Sequence, residues 1–458
     1  MPTIALTTLG CKLNFAETSS LGKQFFDRGF RPVEFGAPAD LTLINTCSVT
    51  AHADRECRQL IRRSLRASPG SVVVVTGCYA QLRPEEVASI EGVDFVVGTR
   101  EKHAIASLLA GGAGAGPGFD TAQPPAETSS RMPLPPKQAH PRVHVGAIDD
   151  TVEFAPAWTT EAGGRTRAFL KVQDGCDYSC TFCTIPAARG ASRSQPIGAT
   201  VAQAEALAAQ GYREIVLTGV NVGDYGKRTG EGLLPLLQAL AAVRGIERLR
   251  VSSIEPNLLT DGIIRFIASA GVMCRHVHVP LQSGANEILR AMRRRYTAER
   301  YAERIRTLLA NVPDCGIGVD VIVGFPGETD AHFRETCAFL ADLPVSYLHV
   351  FAYSERPGTP AADSGAGVDP GVRAERSAIL RAIGLRKKAE FYRRMIGKTV
   401  PVLLEADDEG GCRCGFTGNY VRVAVGAGEA PANAIVDVAI AASDGERCTG
   451  SVAPGSVR

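Results

Sequence analysis

Three cysteines within a single short run constrain this 458-residue chain more than any other feature. Cys176, Cys180 and Cys183 form a Cys-x3-Cys-x2-Cys pattern, and Phe182 directly precedes the third cysteine. Thiolates are the usual ligands of iron–sulfur clusters, and a complete set has four members. The run therefore predicts a four-iron cluster with one iron open to an outside ligand. A structural zinc site would instead show two Cys-x2-Cys pairs, and plain buried or disulfide-bonded cysteines are the remaining alternative.

Composition is that of a cytosolic enzyme with two or three domains. The thirteen cysteines are odd in number and too sparse for a disulfide framework of this length. No signal peptide and no apolar run long enough to span a membrane is evident, so we expect a cytoplasmic protein. The net charge of +2 neither favours nor excludes nucleic acid, so any RNA contact must come from local basic patches.

The first hundred residues alternate between short apolar runs and amphipathic segments. This alternation predicts an α/β domain with a parallel sheet. The predicted strands are 3–7, 41–44, 72–75 and 95–97, and the predicted helices are 15–28, 51–65 and 84–90.

A second set of cysteines follows the first three of these strands. Cys11, Cys47 and Cys78 each come just after a predicted strand end, and such ends lie along one edge of a parallel sheet. We therefore expect three thiolates to converge there, again as ligands of a cluster with one open iron. The alternative is that small cysteines merely suit tight turns. Cys57 lies on the apolar stripe of a helix and is predicted to be core.

Residues 165–370 continue the alternation as six βα-type units, with strands at 169–173, 214–218, 249–252, 277–279, 318–323 and 347–351. A strand leading into Cys176, the cysteine spacing and these six units together resemble the radical S-adenosylmethionine (SAM) superfamily. The resemblance implies a partial barrel whose open cluster iron binds SAM, and whose reduced cluster splits SAM to a 5′-deoxyadenosyl radical. Active sites of such barrels lie at the C-terminal strand ends.

The cysteine segments of the first domain narrow the resemblance. Leu9-Gly10-Cys11-Lys12-Leu13-Asn14, Asn45-Thr46-Cys47-Ser48 and Thr76-Gly77-Cys78-Tyr79 resemble the radical SAM methylthiotransferases, most closely the MtaB type that acts on N6-threonylcarbamoyladenosine in tRNA. Leu13 stands where that type more often has valine. The resemblance implies two [4Fe-4S] clusters, SAM, methylthiolation of C2 of the base at position 37 beside the anticodon, a low-potential electron donor and a sulfur source.

The remaining chain divides by composition. Residues 1–110 are predicted as the cluster-binding domain, 111–164 as a Gly/Pro-rich linker with a lead-in segment, 371–396 as a connecting basic helix and 397–458 as a small β-barrel that resembles an RNA-binding TRAM domain. That last segment has five Lys plus Arg and eight Asp plus Glu, a poor balance for phosphate. The basic helix and Arg293-Arg294-Arg295 are alternative tRNA contacts, or solvated faces. Phe416 and Tyr420 would stack on bases or fill the small barrel.

Candidate cofactor and substrate residues follow the barrel strands. The SAM contacts expected there, from the resemblance and from their position, are Phe182, Gly219, Asn221, Ser253, Glu255 and Gln282. Threonylcarbamoyladenosine has a carboxylate, which Arg189, Arg193 or Arg356 would bind.

Several alternatives remain open at this stage. His276 and His278 share a face of one strand and are predicted to line the barrel or contact substrate, with a metal site as the alternative. Cys412, Cys414 and Cys448 are predicted to be structural, with zinc as the alternative. For the whole chain, the alternatives are isopentenyladenosine or a ribosomal-protein side chain as substrate, or a non-catalytic iron–sulfur RNA-binding protein.

Overall fold

The computed structural model describes residues 1–111, 132–148, 151, 153–159 and 166–457, so most of the predicted linker lies outside the described residues. The chain divides into two compact units. The first comprises Met1–Gly163, Asp174–Tyr178 and Cys183–Arg193, and the second comprises Gly164–Gln173, Ser179–Phe182 and Ser194–Arg458. The boundary between the units therefore runs through the Cys-x3-Cys-x2-Cys segment. We describe each unit by itself.

The first unit is an α/β domain around a six-stranded parallel sheet of order β2-β1-β3-β4-β5-β6. Its strands are β1 (Thr3–Thr8), β2 (Arg31–Val33), β3 (Leu41–Thr46), β4 (Val72–Gly77), β5 (Phe95–Val97) and β6 (Arg142–His144). Its helices are α1 (Lys12–Phe26), α2 (Ala51–Ala67), α3 (Cys78–Leu82), α4 (Pro84–Ala88), α5 (Ile105–Leu109) and α6 (Ile185–Arg189). The elements of this unit that were not predicted from the sequence are β2, β6, α3, α5 and α6, and β6 lies within the predicted linker.

Both faces of this sheet are buried, as a parallel sheet requires. Every residue of β3 and β4 is buried. Leu43 and Val74 contribute to one apolar core, while Ile44 and Val75 contribute to a second core on the opposite face. Alternate residues of continuous apolar strands therefore supply two cores, and the strand ends are left to form a site.

The second unit begins with six parallel strands in the order β7-β10-β11-β12-β13-β14. They form two three-stranded sheets that a bridge between Ser253 and His278 joins into one partial barrel. The strands are β7 (Ala168–Lys171), β10 (Glu214–Thr218), β11 (Arg248–Val251), β12 (His276–His278), β13 (Gly316–Val323) and β14 (Tyr347–Ala352), with two-residue strands β8 (Gln173–Asp174) and β9 (Arg193–Ser194) at the unit boundary. The helices are α7 (Ile197–Ala209), α8 (Leu233–Ala241), α9 (Asp261–Ser269), α10 (Asn286–Ala291), α11 (Ala298–Asn311), α12 (Asp330–Asp342) and α13 (Pro370–Arg393).

Five further strands close into a small barrel, β15-β16-β17-β19-β18. They are β15 (Thr399–Glu409), β16 (Cys412–Thr417), β17 (Arg422–Gly426), β18 (Ile435–Ser443) and β19 (Cys448–Val452). The predicted mixed α/β class, with a parallel-sheet domain, a partial barrel and a small β-barrel, is confirmed.

The turn Phe416–Tyr420 packs against the strand starts of the partial barrel. The guanidinium carbon of Arg167 lies 4.6 Å from the Phe416 ring centre, and that of Arg250 lies 5.0 Å from the Tyr420 ring centre. The Tyr420 ring is also 4.7 Å from the ring of His276, the first residue of β12. The two aromatic rings therefore join the small barrel to the large one, a role that neither sequence interpretation included.

The basic helix α13 has a buried side as well as an exposed one. Lys387 is buried and donates to the carbonyl oxygens of Ala341 and Leu343 at 3.1 and 2.7 Å. Arg381, Arg386 and the other predicted basic residues of this helix lie at least partly in solvent. Lys387 is thus a structural residue and is removed from the predicted tRNA contacts.

Candidate functional site: two cysteine sets and a barrel lumen

The three N-terminal cysteines each follow a strand of the parallel sheet. Cys11 directly precedes α1, Cys47 follows β3, and Cys78 is the first residue of α3 after β4. The strands β1, β3 and β4 are hydrogen-bonded neighbours and run parallel. The structure therefore places the three cysteines at one edge of the sheet, because the carboxyl ends of parallel strands lie together.

The local geometry shows how close these side chains come. Gly10 has φ +96°, and a Cβ atom at this position would lie only 2.8 Å from the Cys47 sulfur. Burial, together with the nearby thiols of Cys78 and Cys11, raises the pKa of Cys47 to about 12. The three thiols therefore lie close to one another. Glycine at position 10 leaves room for the Cys47 side chain, because it has no Cβ atom.

Two buried cations lie beside this cysteine set. Arg189 is 1% exposed and pairs with Glu17 at 3.0 Å and Asp174 at 2.9 Å, while Lys102 reaches Glu17 at 2.6 Å. Burial raises the pKa of the Cys78 thiol, whereas Arg189 and Lys102 act in the opposite direction. The cations therefore favour the thiolate form that a metal ligand requires.

The sequence analysis proposed Arg189 and Arg193 as substrate-binding cations. A second nitrogen of Arg189 donates to the Asn14 side chain at 2.5 Å, so its guanidinium is fully engaged inside the first unit. Arg193 donates to the carbonyl oxygen of Arg189 at 2.6 Å and pairs with Asp174 at 3.3 Å. Both arginines are therefore held by buried partners inside the first unit, and their predicted contacts with the substrate stay predictions. Arg356, which follows β14 and is buried, stays a prediction.

Local hydrogen bonds support the sulfurs of the Cys-x3-Cys-x2-Cys segment. In the first unit, the Tyr178 amide donates to the Cys176 sulfur at 3.4 Å, and the Ile185 amide donates to the Cys183 sulfur at 3.5 Å. Such bonds to sulfur are one of the means by which a protein tunes an iron–sulfur cluster. Both amides would stabilise negative charge on these sulfurs.

Cys180 belongs to the second unit and has a cationic neighbour. Arg294 donates to the Cys180 sulfur at 3.2 Å and forms a short ion pair with Glu255. Burial raises the pKa of Glu255 although Arg294 lowers it. Arg294 thus points inward, so the run Arg293–Arg295 is not a uniform basic patch, and only its outer two members are exposed.

The predicted SAM contacts line the strand ends of the partial barrel. Gly219 and Asn221 follow β10, Ser253 and Glu255 follow β11, and Gln282 follows β12. The Asn221 side chain donates to Asp224 at 3.1 Å. The oxygens Asn221 Oδ1 and Thr218 Oγ1 are buried and have no hydrogen-bond partner within the described part of the chain. Two unsatisfied buried oxygens at the strand end are candidate hydrogen-bonding partners for a bound group.

Phe182, the remaining predicted contact, lies in the second unit. It packs edge-on to Phe325 with ring centres 6.4 Å apart, beside Ile322 and Tyr353. This apolar group forms one wall of the barrel end near Gln282, whose φ of 71° is unusual for a residue with a side chain. An adenine or another flat apolar group would fit such a wall.

A side-chain group that the sequence analysis missed lies on β12, β13 and β14. His278, Asp320 and His349 bring three ligand atoms within 4.8 Å of one another, and His278 Nε2 is 3.0 Å from Asp320 Oδ1. His276 instead contacts the Tyr347 hydroxyl at 2.8 Å, so the two predicted histidines have different roles. The sequence signal that could have found this group is the alternation of side chains between the two faces along β13 and β14, which places Asp320 and His349 on inward positions.

Three further cysteines lie in the small β-barrel. Cys448 is buried in the core of the small barrel, and Cys412 and Cys414 lie on β16. The structural role predicted for these three cysteines stays a prediction. Across the described residues, no helix is long and apolar enough to cross a membrane.

Comparisons with known proteins define the class. Residues 170–340 match the model of the radical SAM superfamily, and residues 3–98 match the Uncharacterized protein family UPF0004. A radical SAM methyltransferase from Kitasatospora setae, TsrM, solved with tryptophan and a SAM analogue, superposes with a TM-score of 0.57 at 18% identity over 79% of this chain and 75% of that one. The fold and the match define a radical SAM enzyme, which implies a [4Fe-4S] cluster and SAM.

The relatives define the family. The chain is 38% identical to the threonylcarbamoyladenosine tRNA methylthiotransferase MtaB of Bacillus subtilis, over 92% of this chain and 90% of the relative. It is 34% identical to a tRNA-2-methylthio-N(6)-dimethylallyladenosine synthase of Zymomonas mobilis, over 87% and 85%. The chain belongs to the radical SAM methylthiotransferase family, and the prediction from its cysteine segments is confirmed.

Proposed function

We propose that this enzyme methylthiolates C2 of N6-threonylcarbamoyladenosine in tRNA, at position 37 beside the anticodon. The observation that carries this proposal is its similarity to relatives of that name. Two of them, from Bacillus subtilis and Aquifex aeolicus, are each 38% identical over about nine-tenths of their own length. The Zymomonas mobilis relative, named for the dimethylallyl base, is less similar at 34%.

The residues present fit two clusters and SAM. Cys176, Cys180 and Cys183 would hold one [4Fe-4S] cluster. Each of their sulfurs accepts a hydrogen bond, and the donors are Tyr178, Arg294 and Ile185 respectively. The unsatisfied oxygens at the end of β10 would accept hydrogen bonds from the amino group of SAM.

Cys11, Cys47 and Cys78 would hold the second cluster, because their thiols share one neighbourhood beside Arg189 and Lys102. When bound, these groups supply radical generation and a methylated sulfur, which a tRNA base needs for substitution at an unactivated carbon. The protein residues orient the groups and exclude water. The sulfur source and a low-potential electron donor are further partners of this proposal.

Arg356 is the residue that we propose for the threonyl carboxylate. It follows β14 and is buried, and a buried guanidinium discriminates strongly against an apolar group in its place. Arg356→Met should therefore lower turnover of threonylcarbamoyladenosine about tenfold or more while leaving SAM cleavage intact. If Arg356→Met lowered turnover of a dimethylallyl substrate to the same extent, this role of Arg356 would be contradicted.

The direct test offers both modified tRNAs to the reconstituted enzyme and analyses the nucleosides by mass. We expect methylthiolation of threonylcarbamoyladenosine alone. Preferential reaction of the isopentenyl base would overturn the substrate while leaving the family membership in place.

A further inference from the structure

The inward face of β13 and β14 has an exposed aromatic and polar surface. Gly384 of α13 lies against Leu348, so residues of β14 that alternate with Leu348 face away from the helix, into the lumen. Those residues include His349 and Phe351, and Phe351 is 45% exposed. A large exposed phenylalanine inside a barrel leaves an apolar surface that only a bound group would cover.

The strand register places polar groups beside this ring. Asp320 pairs with His349 and Ile322 pairs with Phe351 across the β13–β14 ladder. His278 lies next along the sheet and contacts Asp320. One end of the surface is therefore flat and apolar, and the other presents an imidazole–carboxylate pair.

This surface adjoins the predicted SAM contacts within the same unit. The amide of Ile254 donates to the His278 carbonyl oxygen at 3.0 Å, and Ser253 bridges to His278. The amide of Gln282 donates to the Asp320 carbonyl oxygen at 2.8 Å. A group that covers Phe351 would thus lie beside the cofactor, where the reacting atom of a substrate must be.

We propose that His278, Asp320, His349 and Phe351 form the site that receives the target nucleobase after it leaves its stack. Enzymes that modify a base bind it by stacking on aromatic rings and by hydrogen bonds to its edge. A purine has ring nitrogens that accept and an exocyclic N–H that donates. The imidazoles supply donors and the Asp320 carboxylate supplies an acceptor, which matches that pattern.

This proposal rests on the proposed function in one respect, because it requires a nucleobase as the substrate. It does not depend on which modification that base has. A divalent ion could use the same imidazoles and carboxylate. The exposed ring of Phe351 would have no role in an ion site, and for that reason we favour the base.

The test measures binding of anticodon stem-loop RNA to the reconstituted full-length enzyme by fluorescence anisotropy. One RNA has adenine at position 37, and a matched RNA is abasic there. Wild-type enzyme should bind the abasic RNA about tenfold more weakly, in line with the loss of one base–aromatic stack. Phe351→Ala and Asp320→Asn should bind both RNAs equally and weakly. Leu385→Ala, which removes an exposed apolar side chain on the outer surface of α13, should behave as wild type.

Three controls separate the alternatives. Iron content should stay within twofold of wild type in every variant, and SAM cleavage without RNA should do so in Leu385→Ala. A loss of SAM affinity in the Phe351 and Asp320 variants would assign the surface to the cofactor and overturn the proposal. The proposal would also be overturned if these variants still preferred the RNA with adenine 37 over the abasic RNA as strongly as wild type does. Loss of a stoichiometric divalent ion in Asp320→Asn would do the same. The substrate is tested separately, since the identity of the methylthiolated nucleoside does not enter this measurement.

Discussion

The two cysteine sets differ in how the fold brings their three thiols together. Cys176, Cys180 and Cys183 lie within eight residues, and backbone amides of neighbouring residues bond two of their sulfurs. Cys11 and Cys47 are instead separated by a helix and two strands, and only the sheet edge brings them together. The first set is preorganised largely by its own loop, whereas the second depends on the whole domain and on buried charge. The two should therefore respond differently to mutation.

The largest expected effect comes from removing the loop set. Changing Cys176, Cys180 and Cys183 together to Ala should lower the iron content from about eight to about four per chain, because a cluster has four irons. SAM cleavage should be abolished. Iron analysis and product assay after anaerobic reconstitution measure both. Cys412→Ala, in the small barrel, is the control and should change neither. Full iron retention by the triple variant would contradict the assignment.

Removing the sheet-edge set should separate the two functions. With Cys11, Cys47 and Cys78 changed to Ala, iron should again fall by about half. Reductive SAM cleavage should persist, since the loop cysteines are unchanged, but methylthiolated nucleoside should be absent. Chromatography of 5′-deoxyadenosine and of digested tRNA checks the two outcomes. Loss of SAM cleavage to the level of the loop variant would mean that the sets are not independent.

Arg189→Met tests the buried charge that supports the sheet-edge set. Removal of this cation deprives the buried carboxylates of Glu17 and Asp174 of one cationic partner each, so the free energy of unfolding should fall by about 3–5 kcal/mol. The N-terminal cluster should also assemble poorly, with iron reduced toward half. Arg62→Met, at an exposed position on α2, is the matched control and should change stability by less than about 0.5 kcal/mol. Equal stability of the two variants, measured by chemical denaturation, would refute a structural role for Arg189.

The smallest expected effect is at Cys57. Its thiol is buried on α2 and donates a hydrogen bond to the Cys47 carbonyl oxygen at 3.4 Å. Because the residue lies in the apolar core, we expect it to contribute to packing and not to bind the cluster. Cys57→Ala should lower the free energy of unfolding by about 1 kcal/mol and leave the iron content unchanged. If this variant loses the second cluster, the ligand set at the sheet edge is wrong.

Much of the fold was predictable because its periodicity is local. The strands β5 and β10 were predicted at their observed bounds, and the other predicted strands and the helices α1, α2, α4 and α13 lie within a few residues of their predicted bounds. The short strands β2 and β6 were missed because they are largely exposed and contain no apolar run, unlike the equally short but fully buried β5. The helix α3 was missed because its five residues begin at Cys78, inside what resembles a turn in the sequence.

Side-chain roles were less predictable than elements. Arg189, Arg294 and Lys387 look alike in the sequence as exposed cations beside a motif or on a basic helix. In the structure each is engaged with buried partners, namely the carboxylates of Glu17 and Asp174, the Cys180 sulfur, and two backbone carbonyls. Charge in a sequence does not reveal burial, because burial depends on which distant segments pack against the residue.

The sequence by itself determined the class of enzyme, since cluster ligands must be thiolates at short or strand-end spacing and that constraint is visible in one dimension. Only the tertiary structure decided where His278, Asp320, His349 and Phe351 meet. Their contact depends on the lateral register of three strands, and register is set by long-range pairing that no local pattern specifies.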